Sequence, residues 1–206
     1  MMSQNSLSRL RPTDVPALAA LHRRALPTFF LSCLGEGFLA QFYRGFVGDG
    51  TAVTVVAHDG DGRPVGAVVG TTEPAGFFRR LLRRRWLGFG IAALGAVARR
   101  PSTIPRLLRA VTYRGGAASP SDGALLSSVC VDPTIQGRGL GRELIEAWEA
   151  EAARMGAARA FLTTDAEDND AVNAFYRSRG WSLEDRFVTR EGRAMNRYTK
   201  RLDRTA

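Results

Sequence analysis

The sequence predicts a mixed α/β fold in which one sheet is flanked by helices, and three observations predict it. Apolar residues recur at helical spacing in some segments, short β-branched runs occupy others, and the two kinds alternate through the second half of the chain. A DGDG turn between two of the runs reads as a hairpin. The 206 residues are 45% hydrophobic and 24% charged, a composition that suits one packed domain over 1–206 and excludes a disordered or fibrous chain.

Each element follows in order. Thr13 and Asp14 before Val15, Leu18, Leu21 and Leu26 read as a capped amphipathic helix, and Leu34, Phe38, Leu39, Phe42 and Phe46 give a second. TAVTVVAH and RPVGAVVG are the hairpin strands, and a long basic segment, 77–118, then interrupts the pattern, closing in the loop-like RGGAASPSDG. ALLSSVCV reads as a buried strand. RELIEAWEAEAARMG reads as a helix with Leu140, Leu144, Ile145, Trp148, Ala152 and Met155 on one face, stopped by Gly156. ARAFLTT is a strand, NDAVNAFYRSRG a short helix opened by Asn169 and ended by Gly180, and DRFVTRE with AMNRYTKRL a final antiparallel pair.

The net charge of +9 belongs to one place. Residues 77–118 hold ten arginines and no acid, while the rest of the chain holds 19 basic and 20 acidic groups. Without a recognisable nucleic-acid-binding fold, that distribution argues against nucleic acid as the partner, although clustered arginines and aromatics can hold phosphates and bases. Cys33 and Cys130 make no disulfide framework, and with His22 and His58 they show no metal-ligand spacing, so no metal is expected. The N-terminus carries no apolar signal core, so a cytoplasmic protein is expected.

The chemistry sits where ALLSSVCVDP leads through TIQGRGLG into a helix. Gly137, Gly139 and Gly141 let the backbone approach a ligand while the first helical N–H groups point outward, an arrangement suited to a diphosphate; the alternative is a tight turn with no ligand. The spacing is neither G-x-G-x-x-G nor a P-loop.

Gln136-Gly137-Arg138-Gly139-Leu140-Gly141 resembles the acyl-CoA pyrophosphate motif Q/R-x-x-G-x-G/A of the GNAT superfamily of N-acetyltransferases. Asn169, Tyr176, Gly180 and Trp181 match that family's later helix, with Val172 where Ala is frequent. The resemblance implies a GNAT-like single domain with a mostly antiparallel sheet splayed at the acyl-CoA site. It further implies direct attack of an amine on acetyl-CoA with no covalent enzyme intermediate. On this reading Gln136 to Gly141 grip the diphosphate, with Arg138 and Arg142 adding charge. Main chain at Val129 and Val131 holds the pantetheine, with an N–H near Val129 on the thioester carbonyl. Asn169 matches the residue on the pantetheine arm, or caps its helix; Tyr176 matches the general acid, or packs on the sheet. Cys130 reads as a core thiol. Where many relatives carry an acid, this chain has Ser127 and Ser128, which leaves Glu73 and Asp165 as candidate bases.

The acceptor is expected to be a small amine, acidic or phosphorylated given the arginines. The uncharged run Trp86 to Ala98 is too short to cross a bilayer. Segment 77–118 therefore reads as a helical lid over the acceptor site, or as a helix lying on an anionic inner membrane surface, with Phe77, Phe78, Leu81, Leu82 and Trp86 on its apolar side. A homodimer contact and a catalytically silent acyl-CoA sensor are the other readings.

Overall fold

The computed structural model describes residues 5–27, 30–99, 123–189 and 192–203. Seven strands form one sheet: β1 (Ser6–Ser8), β2 (Ala52–His58), β3 (Pro64–Thr71), β4 (Ala124–Val131), β5 (Arg159–Asp165), β6 (Ser182–Val188) and β7 (Ala194–Arg201). Their order is β1-β2-β3-β4-β5-β7-β6. Every pairing is antiparallel except β4 with β5, which is parallel and rests on two pairs alone, Ala124 with Ala160 and Leu125 with Phe161. Beyond Leu125 and Phe161 the two strands part. On its other side β4 stays paired with β3, but the register shifts between Val69 and Gly70, which leaves Ser127 as the extra residue of a bulge.

The described residues also form six α-helices: α1 (Val15–Ala25), α2 (Phe30–Cys33), α3 (Glu36–Phe46), α4 (Pro74–Arg99), α5 (Leu140–Arg154) and α6 (Asp170–Ser178). The sheet buries a core on each face. One face packs Val56, Ala67, Val69 and Leu125 beneath α1, α3 and α4. The other packs Val53, Val55, Val68 and Leu126 beneath α5 and α6, where the fully buried Trp148 donates its indole N–H to the Val53 carbonyl at 3.1 Å. Alternating strand side chains feed both cores, so the β-branched runs are buried on both sides.

The predicted helix start at Thr13 and Asp14 is a 3-10 turn, Pro12–Asp14, with α1 running on from Val15. The Asp14 side chain does not cap α1; it accepts from the Arg11 N–H at 2.9 Å and faces His58 Nε2 at 3.0 Å. The basic segment is helical as far as Arg99, with a break in the helical dihedrals at Arg85, and the rest of 77–118 lies outside the described residues. α4 runs antiparallel along α3. Phe77 stacks on Phe46 at 4.5 Å and Phe89 on Phe38 at 4.7 Å. The two helices meet so closely that a Cβ on Gly45 would overlap Leu81. Phe77, Phe78 and Leu81 are thus buried in the protein, so the apolar side that the membrane-surface reading turned outward faces inward at these residues.

Candidate active site

The loop between β4 and α5 is built from local contacts that engage the amides of its first half and leave those of its second half free. Asp132 accepts from the Thr134 N–H at 3.0 Å and its hydroxyl at 2.7 Å, and these bonds, with Arg24 of α1 at 3.1 Å, hold its carboxyl below the usual range. Gln136 Nε2 donates to the Val131 carbonyl at 3.3 Å and ties the loop back to its strand. Gly137 and Gly139 then take φ of 81° and 89°, left-handed values that a side chain resists. Gly139 is also the first residue before α5, and its carbonyl takes the N–H groups of Arg142 and Glu143. Among the described residues nothing accepts from the N–H groups of 137 to 141. Five consecutive free amides thus lie at the positive end of a fifteen-residue helix, an arrangement that favours negative charge.

The two arginines beside these amides differ. Arg142 spends its charge on Glu146 at 2.8 Å, whereas Arg138 is exposed and has no acid partner among the described residues. A cleft of about 1040 Å³ flanks the loop on the α1 side, lined by Ala17, Ala20, Arg24, Thr134, Arg138 and Leu140 among others. Neither Tyr176 nor Asn169 lines it, so it belongs to the loop's end of the site and not to the split between the strands.

Val129 and Val131 lie on β4 past the point where β5 leaves it, half-buried in the same cluster as Leu140 and Tyr176. The Tyr176 ring is buried among Phe175, Trp181 and Tyr198, and burial alone pushes its phenol well above the ordinary value. It therefore keeps its proton at neutral pH, the state a proton donor needs. Asn169 stands at the N-cap of α6 without making a capping bond. Its amide donates to the Thr164 hydroxyl at 2.8 Å and the Asp165 carbonyl at 3.1 Å, bracing β5 against α6.

Asp165 ends β5 at the split side of the sheet, and Arg193 clasps both its oxygens, at 2.6 and 2.7 Å. Glu73 is elsewhere. β3 runs against β4 so that Gly66 meets Val131 and Thr71 meets Leu125, which puts Glu73, two residues past Thr71, at the end where β4 and β5 are still joined. There it accepts from Arg80 at 2.9 Å. The antiparallel register puts Glu73 and the glycine loop at opposite ends of β4.

Three features around the site were not legible in the sequence. Asn173, buried on α6, donates to the Asp165 and Asn169 carbonyls at 2.9 and 2.8 Å and accepts from Asn196 at 2.8 Å and the Tyr198 hydroxyl at 3.0 Å, which fixes the helix that carries Tyr176. The sequence offered one signal, an amide three residues before Tyr176 and therefore on the same side of the helix. Behind β4, His22 Nδ1 meets the Tyr43 hydroxyl at 2.8 Å, and Tyr43 meets Cys130 Sγ at 3.5 Å. Burial holds His22 down at about 4 and pushes the Cys130 thiol up to about 11, so Cys130 is a core thiol and not a nucleophile. At the bulge, the buried hydroxyl of Ser127 makes no hydrogen bond among the described residues.

The site is thus a sheet split between two parallel strands, with a run of free amides following the first of them at the start of a helix. The sequence profile of the acetyltransferase (GNAT) family matches residues 18–181, and the chain belongs to that family. Among curated proteins, none matches the sequence. Solved structures share the fold. The ribosomal-protein-S18-alanine N-acetyltransferase from Escherichia coli is 18% identical with a TM-score of 0.60, over 98% of this chain and 97% of its own. The protein named SsHAT is 22% identical with a TM-score of 0.68, over 97% and 99%. Naa20 from Chaetomium thermophilum, solved in complex with a bisubstrate analogue, is 20% identical with a TM-score of 0.56, over 96% and 86%.

Proposed function

We propose that the chain is an N-acetyltransferase that moves the acetyl group of acetyl-CoA onto an amine by direct attack within a ternary complex. The observation that carries this reading is the run of unengaged N–H groups from Gly137 to Gly141 beside strands that part after Leu125. Acetyl-CoA supplies the activated acyl group. The amides of 137 to 141 hold its diphosphate, and Arg138 adds charge that Arg142, committed to Glu146, does not. The free edge of β4 at Val129 and Val131 orients the pantetheine, and an N–H near Val129 stabilises charge on the thioester oxygen. Asn169 and Asn173 keep α6 in place, and Tyr176 gives its proton to the departing sulfur. Asp165 is the candidate to take the amine proton, directly or through water, in exchange with Arg193. An acidic or phosphorylated amine suits the surplus of arginine.

Tyr176→Phe tests the mechanism because it keeps the ring and removes only the hydroxyl. Turnover measured by CoA release falls at least about tenfold while acetyl-CoA affinity stays within about twofold. Unchanged turnover removes Tyr176 from the chemistry. Tight CoA binding with no CoA release from any of a panel of amines makes the protein a sensor instead.

A further inference from the structure

We infer that the outer face of α4 is a docking surface for an anionic lipid membrane. The inner side of this helix is already used: Phe89 stacks on Phe38, and Ala92 lies against Gly37. What remains outside is apolar as well. Trp86, Leu87, Ile91 and Leu94 are 66%, 59%, 72% and 72% exposed, half of all the large hydrophobic residues exposed on the described surface. The spacing of four and three puts Leu87, Ile91 and Leu94 in one line along the helix, with Gly90 leaving the line open to close approach. A helix stretch apolar on every side needs cover on every side, and the described residues cover one.

The charge around the patch selects the partner. Arg79, Arg83 and Arg84 are exposed on the turns just before it, and Arg79 and Arg83 have no acid partner among the described residues. Arg80 is different: it is engaged by Asp49, Thr51 and Glu73. Residues 74 to 121 hold ten arginines and no acid. Aliphatic side chains rimmed by unpaired cations match acyl chains beneath anionic headgroups. A nucleic acid would use the arginines and find nothing for Leu87, Ile91 and Leu94 to do. A second copy would set two arginine clusters against each other. No described helix is long and apolar enough to cross a membrane, so the contact is one of lying on the surface, with the apolar line sunk about 5–10 Å into the headgroup boundary.

Trp86 makes the test direct, because the other two tryptophans, Trp148 and Trp181, are buried. The full chain is sedimented with phosphatidylglycerol/phosphatidylcholine vesicles and with pure phosphatidylcholine vesicles at low and high salt, while tryptophan emission is followed. The expected result is binding to the anionic vesicles alone, weakened by salt, with a blue shift and quenching by brominated acyl chains. Arg79→Gln and Arg83→Gln each lower partitioning about fivefold. Ile91→Glu with Leu94→Glu lowers it at least tenfold while CoA affinity and the thermal transition hold. Should that pair fail to fold, Trp86→Phe decides: it keeps sedimentation and loses the emission change. No binding to anionic vesicles, binding without a Trp86 response, or a concentration-dependent Trp86 shift with dimer formation in lipid-free solution each overturns the proposal. So does duplex DNA that sediments with the protein and displaces it from vesicles.

Discussion

α4 and α5 each follow a strand of the same sheet, yet the described residues cover the apolar surface of α5 and leave one side of α4 bare. α5 buries Leu140, Leu144, Ile145, Trp148 and Ala152 on the sheet and pairs its outer charges with each other, Arg142 with Glu146 and Arg154 with Glu151. α4 buries Phe77, Leu81 and Phe89 on its inner side and turns bare apolar residues and unpaired arginines outward. Their first turns differ in the opposite sense. The Phe77 amide is closed by the Glu73 carbonyl, while α5 opens on Gly139 with free amides before it. A helix complete along its length and open at its start suits a ligand at the tip; one closed at its start and open along its side suits a surface.

The largest expected effect lies in the α5 core. Trp148→Ala leaves a cavity and an unpaired Val53 carbonyl, and denaturant unfolding reads a loss of about 3–5 kcal/mol. The two cores should also part in acid. Beneath α1 and α3, an unfolded chain takes up a proton at His22 near pH 6.5, whereas the folded one does so only at about 4. The unfolded state binds more protons across that window, so the folded state loses ~3 kcal/mol as pH falls through it, and His22→Gln flattens the decline in thermal scans. On the α5 side Arg154 and Arg9 hold the Glu151 carboxyl down at about 2, so that cluster keeps its charge through the same window.

Next comes the open tip. Gly139→Val forces a branched side chain to φ of 89° and twists the loop, which lowers CoA affinity about tenfold by calorimetry while the thermal transition moves little. The smallest effects belong to groups placed away from the site or on the open side. Glu73→Gln and Leu94→Ser change CoA release and unfolding free energy by less than about 0.5 kcal/mol. A tenfold fall in turnover for Glu73→Gln would place that carboxylate in the chemistry.

What could be read from the sequence was what depends on local pattern. The stripes of α3 and α5, the DGDG hairpin, the left-handed Gly156 and Gly180 at the ends of α5 and α6, and the glycine loop are written in residue spacing, and all are present. What depends on register or on a distant partner was hidden. Only the direction of β3 shows that Glu73 and the glycine loop lie at opposite ends of β4. Asp14 looked like a cap until His58, on β2, claimed its carboxylate. The three-residue β1 and the four-residue α2 are too short to show a period. The first half of α4 has an amphipathic pattern compatible with either lipid or protein, and only α3 settles that its phenylalanines face inward.

The central claim is that main-chain amides after β4 hold a diphosphate. Calorimetric titration of the folded protein with CoA and with pantetheine, which lacks the diphosphate, measures that grip directly. The account predicts one CoA bound per chain and at least tenfold weaker binding of pantetheine. Equal affinity for the two, or no heat with millimolar CoA, would contradict it.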